Sequence, residues 1–69
     1  MTQNNEQRVL LSVKDSIAYV TLNRPEKHNG LDMQMFLELI KTAKTIRKNR
    51  MIRAVIMHGN GASFCSGLD

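Results

Sequence analysis

Residues 53–69 read RAVIMHGNGASFCSGLD. Positions 54–57 are four consecutive apolar residues, β-branched in the middle. The stretch after them holds Gly59, Gly61 and Gly67, three of the chain's four glycines. A short apolar run bounded by glycine reads as a strand. Apolarity at successive positions predicts burial on both faces, as in a parallel sheet covered on each side. In open α/β sheets, ligands bind just past the carboxyl ends of such strands. The glycine-rich stretch is therefore the candidate binding loop, and the chain stops inside it.

The segment before this strand has a helical period. Met33, Phe36, Leu37 and Ile40 fall at i, i+3, i+4 and i+7 and predict the core-facing stripe, widened by Leu39, Ala43 and Ile46. Gln34, Glu38, Lys41, Thr42, Thr45 and Lys48 then form the solvent side. Asp32 is the predicted N-cap and Asn49 the predicted stop. Further back, residues 8–14 and 17–23 alternate as strands. Val9, Leu11 and Val13 share one face of the first; Ala18, Val20 and Leu22 share one face of the second. Asp15-Ser16 between them predicts a two-residue antiparallel hairpin. Arg24-Pro25 ends the second strand, because proline has no N–H for a ladder.

The order hairpin, helix, strand defines an α/β unit whose crossover has the length of a βαβ connection. One helix covers one face of three strands, so the unit is expected to be incomplete on its own, with an unpaired sheet edge. Residues 1–7 are polar and read as a disordered N-terminus. Residues 8–69 read as one partial domain.

A chain of 69 residues allows one small domain at most. Cys65 is the single cysteine, so no internal disulfide forms; with His28 and His58 it makes no ligand spacing, and no metal is expected. No segment approaches the ~18 apolar residues of a membrane span. The N-terminus lacks an apolar signal region, so the expected compartment is the cytoplasm. The net charge is +4 and the pI about 9.7. Lys41, Lys44, Arg47, Lys48, Arg50 and Arg53 supply six of the ten positive charges. Cations there complement the helix dipole as a solvated helix end. One tyrosine and two phenylalanines offer little stacking surface, and no nucleic-acid partner is expected.

Consecutive amides in the 59–69 loop could point at one anionic oxygen, as in an oxyanion hole or a phosphate nest. The bland alternative is an ordinary strand-to-helix connection. Neither G-x-G-x-x-G nor a P-loop is matched. Ser66 and Cys65 lack the G-x-S-x-G elbow of a nucleophile, and Cys65 reads as a small buried hydrophobe. Arg24, Lys27 and His28 form a polar loop, either solvated or in contact with a phosphate-bearing ligand.

Two stretches carry a family resemblance. Residues 22–31, LNRPEKHNGL, resemble L-N-R-P-x-x-x-N-A-L, with Gly30 where alanine is usual. Residues 59–69, GNGASFCSGLD, resemble G-x-G-x-x-F-x-A/S-G-x-D. In this order and at this distance they are similar to the N-terminal quarter of the crotonase superfamily, the enoyl-CoA hydratase/isomerase family. The resemblance extends from Arg8 onward.

It implies the start of a crotonase-like ββα spiral and an acyl-CoA thioester as substrate, with no further cofactor. It implies hydration, isomerisation or another enolate-type conversion, of the kind met in fatty acid metabolism. The backbone N–H of Leu68 would be one oxyanion-hole donor, the catalytic contribution of this segment. The Ser66 carbonyl would meet the CoA adenine, and Lys27, His28 and Gly30 would lie along the CoA. Gly67, Leu68 and Asp69 would complete the substrate-binding stretch. The second donor and the acid/base residues would lie beyond Asp69, so this chain alone is expected to be inactive. Family members assemble as trimers or hexamers. The alternative is a non-catalytic interaction fragment that folds only on a partner.

Overall fold

Asp15 and Ser16 both adopt positive φ, 53° and 66°. A two-residue type I′ turn requires this at both centres, and its twist matches that of the flanking strands. β1 (Val9–Lys14) and β2 (Ile17–Leu22) therefore close directly, with Lys14 opposite Ile17 and Val9 opposite Leu22. The structure is a computed structural model and describes residues 7–67. The expected disordered N-terminus lies, apart from Gln7, outside the described residues.

After β2, a single 3-10 turn (Pro25–Lys27) leads to α1 (Met33–Lys48) and then to β3 (Ala54–Gly59). β3 lies parallel to β2, with Ile17 opposite Ala54 and Leu22 opposite Gly59. The sheet order is β1-β2-β3, so the crossover through α1 brings the chain back to the open side of β2. The Ser16 carbonyl accepts from Arg53 N (2.7 Å), which starts β3 alongside the hairpin turn.

Both ends of α1 follow from local chemistry. Asp32 is extended, and its Oδ1 accepts from Met35 N (2.9 Å), satisfying one orphan amide of the first turn. At the other end, Asn49 N donates to the Ile46 carbonyl, and Asn49 Oδ1 accepts from Met51 N (3.0 Å) to turn the chain away.

The core lies between α1 and one face of the hairpin. Val9, Val20, Leu22 and Met35 are buried together, with Leu11, Leu31, Leu39, Ile46 and Cys65 packed around them. Ala18 is buried as well, whereas Val13, near the turn, is half exposed.

The structure corrects the expected helix face. Met33, Phe36, Leu37 and Ile40 are 47–70% exposed, while Met35 is fully buried. Residues 35, 39, 42 and 46 share one side at 100° per residue, and residues 33, 36, 37 and 40 share the opposite side. The helix thus has two apolar sides, and the sheet takes the one centred on Met35. Glu38 is corrected too: its Oε1 accepts from Arg8 N (2.8 Å) and Val9 N (2.9 Å), tying α1 to the outer edge of β1.

β3 is also not buried on both faces. Val55, Ile56 and Met57 are 45–48% exposed. β3 is an edge strand, as β1 is. On its α1 side a groove of about 300 Å³, lined by Leu39, Ile46, Val55 and Met57, stays open. Among the described residues, no helix is long and apolar enough to cross a membrane.

Candidate functional site

The site begins with two left-handed residues. The 3-10 turn has Pro25 in its first position, where a missing N–H costs nothing. His28 and Asn29 follow with φ of 51° and 56°. Left-handed backbone is uncommon for residues with a Cβ, and asparagine tolerates it best. The reversal turns the Asn29 side chain inward.

Asn29 is completely buried. Its Oδ1 accepts from Arg24 N (2.7 Å), closing its own loop. Its Nδ2 donates to the Asn60 carbonyl (2.9 Å) and the Ser63 carbonyl (2.7 Å), reaching the loop after β3. Two carbonyls can only accept and a backbone N–H can only donate, so the orientation of this amide is fixed by its partners.

Two glycines make the approach possible. A Cβ on Gly61, at φ 89°, would stand 2.7 Å from Pro25 Cβ. One on Gly59 would meet Asn29 Nδ2 and the Phe64 carbonyl oxygen. Three further bonds join the loops: Leu31 N to the Gly67 carbonyl (2.8 Å), His28 Nδ1 with Ser63 Oγ (3.1 Å), and Ser66 Oγ to the Lys27 carbonyl (3.4 Å).

Of the expected site residues, Lys27 and His28 on the first loop and Ser66 and Gly67 on the second are brought near one another by these bonds, while Gly30 bonds within its own loop. Leu68 and Asp69 lie outside the described residues. Lys27 and His28 are exposed, and Gly30 is buried.

Arg24 is held inside the protein. Its Nη1 donates to the Gly30 carbonyl (2.9 Å), and its Nη2 lies 3.5 Å from Asp32 Oδ2. Asp32 also pairs with Arg8 at 3.0 Å. The Arg8 guanidinium, then the Met35 amide and the Arg24 charge, hold the Asp32 carboxyl below the usual carboxylate range. Desolvation of the carboxyl works against this, and outweighs the Arg24 charge alone. His58 is occupied across the sheet, with Nε2 2.7 Å from Thr21 Oγ1. Cys65 packs against the core and accepts from Gly67 N (3.4 Å).

Sequence reasoning passed over Asn29, although it stands at the asparagine of the first motif. It also missed Glu38, whose only signal was its place at the rim of the Met35 side of α1.

The α/β unit thus joins its two motif loops past the carboxyl ends of β2 and β3, which run parallel. The pattern of the enoyl-CoA hydratase/isomerase family matches residues 12–69. The chain belongs to that family. It is 42% identical to (E)-benzylidenesuccinyl-CoA hydratase of Thauera aromatica, over 88% of this chain and 24% of that protein. It is 36% identical to the mitochondrial Delta(3,5)-Delta(2,4)-dienoyl-CoA isomerase of Mus musculus, over 96% of this chain and 20% of that one. A solved enoyl-CoA hydratase/isomerase from Xanthobacter autotrophicus Py2 superposes with a TM-score of 0.85 at 35% identity, over 90% of this chain and 23% of its own length. The chain thus spans a quarter or less of the length of these relatives.

Proposed function

We propose that this segment supplies the CoA-binding loops and one oxyanion donor of an enoyl-CoA hydratase/isomerase-type site. The observation that carries the reading is the junction of the two motif loops through Asn29, Asn60 and Ser63. It sets Lys27 and His28 of one loop beside Ser66 and Gly67 of the other.

On this reading the acyl-CoA lies along residues 27–30, with exposed Lys27 suited to its phosphates. The Ser66 carbonyl accepts from the adenine, and Gly67 and Asp69 flank the thioester end. The Leu68 N–H donates to the thioester oxygen as negative charge develops there. A fixed amide needs no reorganisation at that moment, which is why such donors lower barriers. Stabilising an enolate oxygen serves hydration and isomerisation alike. Either also needs a general acid/base, and in this reading it is not supplied by residues 7–67. The chain by itself therefore binds without turnover.

Titration calorimetry of the chain with coenzyme A and crotonyl-CoA tests this. Binding of both, with no hydration, is expected. Failure to bind either, while Leu31 and Gly67 remain bonded by NMR, overturns it.

The exposed Met33, Phe36, Leu37 and Ile40 favour a second reading, a non-catalytic fragment that folds on a partner. A cooperative thermal transition of the chain alone excludes that one.

A further inference from the structure

We propose that Asn29 is the positioning residue of this site: its carboxamide sets where the 59–67 loop sits against the 24–31 loop. The functional consequence rests on the CoA-site reading; the geometry does not. Three partners surround the amide, and two of them, Asn60 and Ser63, lie on the opposite loop. Among the described residues, two other side-chain bonds between the loops, His28 with Ser63 and Ser66 with Lys27, are exposed and compete with water, and a third, Asn60 Nδ2 to Asn23 Oδ1 (2.9 Å), is only partly buried. Asn29 is completely buried, so its bonds face no such competition. Its left-handed backbone adds a separate requirement that asparagine and glycine meet.

These two requirements come apart by substitution. Asn29→Asp keeps size, backbone preference and the bond from Arg24 N, but turns two donors into a carboxylate facing two carbonyl oxygens. That environment favours the protonated carboxyl and raises its pKa. One of the two loop bonds is then available at low pH, where the single O–H can donate, and is lost as pH rises through the raised value. Asn29→Gly keeps the backbone conformation and removes the carboxamide at every pH.

The reporter is the Leu31 amide, which donates to the Gly67 carbonyl across the loops. Its protection factor is measured by NMR hydrogen exchange over a pH series from about 4.5 to about 8. Arg24, paired with Asp32, and His28 lie on the 24–31 side of Asn29, and Cys65 lies on the 59–67 loop. The wild-type chain over the same pH series reports their contribution.

Asn29→Asp is expected to lower Leu31 protection about tenfold or more near neutrality and to regain part of it on acidification, when its single O–H replaces one of the two amide donations. Asn29→Gly should lose it throughout the pH series. The β1–β2 ladder amides should stay within about twofold of wild type. Undiminished Leu31 protection in both variants overturns the proposal. So does an equal loss through the ladder, which would make Asn29 a residue of the fold and not of the loop. A loss in Asn29→Asp with no recovery on acidification overturns the role of the amide donors. Coenzyme A is titrated into the same samples. If the wild type binds it, affinity should follow Leu31 protection across the variants. If it does not, the CoA reading fails while the exchange data still decide the role of Asn29.

Discussion

Gly59 and Asn29 share one space: a Cβ on residue 59 would stand 2.6 Å from Asn29 Nδ2 and 2.6 Å from the Phe64 carbonyl oxygen. The amide could swing aside, but the Phe64 oxygen belongs to the backbone and cannot. Gly59→Ala should therefore cost about 1–3 kcal/mol, the usual range for overpacking. Denaturant titration checks this, and a variant as stable as wild type would show that the two loops are not closely packed.

Asp32 joins the helix cap to two arginines, and its acidity is linked to stability. Its folded pKa is depressed, by Arg8 first and then by the Met35 amide. Such a group contributes stability that is fully present above its unfolded value of about 3.9 and is lost as pH falls through the depressed folded value. Asp32→Asn keeps a capping oxygen and removes the charge, so it should flatten this acid limb. Asp32→Ala also removes the cap, at about 1 kcal/mol. Thermal melts between neutral and acid pH distinguish the two variants. An unchanged acid limb in Asp32→Asn would count against the linkage.

The 69-residue chain should show no hydration of crotonyl-CoA. Asp32 is paired with Arg8 and Arg24, and His28 is bonded to Ser63. Turnover that survives repurification and is abolished by Gly67→Pro would refute this.

In a full-length family member carrying this segment, Leu68→Ala should keep most of kcat, because the backbone N–H is retained. An ester in place of the peptide bond that supplies that N–H should lower kcat about 10²–10³-fold. CoA binding should weaken less, since the charge develops mainly in the transition state. Wild-type turnover by the ester variant would remove Leu68 from the oxyanion site.

The open edge of β3 and the outer side of α1 should make the chain self-associate. Phe36, Leu37 and Ile40 on the helix, and Val55, Ile56 and Met57 on the strand, are each about half exposed. Exposed edges and apolar patches of this kind drive association. Sedimentation should give a concentration-dependent mass that falls toward the monomer in Leu37→Glu/Ile56→Lys. A wild-type monomer at all concentrations would contradict it.

Much of the fold was legible because it is local. Alternation in Val9, Leu11 and Ala18, Val20, Leu22 marked the hairpin, and Asp32 announced the helix. The helix face was not legible, because α1 carries apolar residues on two opposite sides. Periodicity finds stripes, but it does not say which one the sheet takes. The apolarity of residues 54–57 predicted cover that these elements do not provide. The two motifs marked the loops that carry Lys27, His28, Ser66 and Gly67, and the fold joins those loops, but a buried asparagine in a polar loop has no period to betray it. Asn29 matters through partners 31 and 34 residues away, and only the folded chain brings them near.

The two neighbours of β2 join it on different timescales. β1 is two residues away through the Asp15-Ser16 turn, and hairpins of this kind close in about 1–10 μs. β3 must cross the whole of α1 to reach its register, so its pairing waits on closure of a long loop. The hairpin alone is marginal in water, and the helix that steadies it also delivers β3. The glycine-rich loop hangs from the far end of β3 and is expected to find Asn29 only afterwards. On this order, any delay in the crossover is also a delay in joining the 59–67 loop to the 24–31 loop.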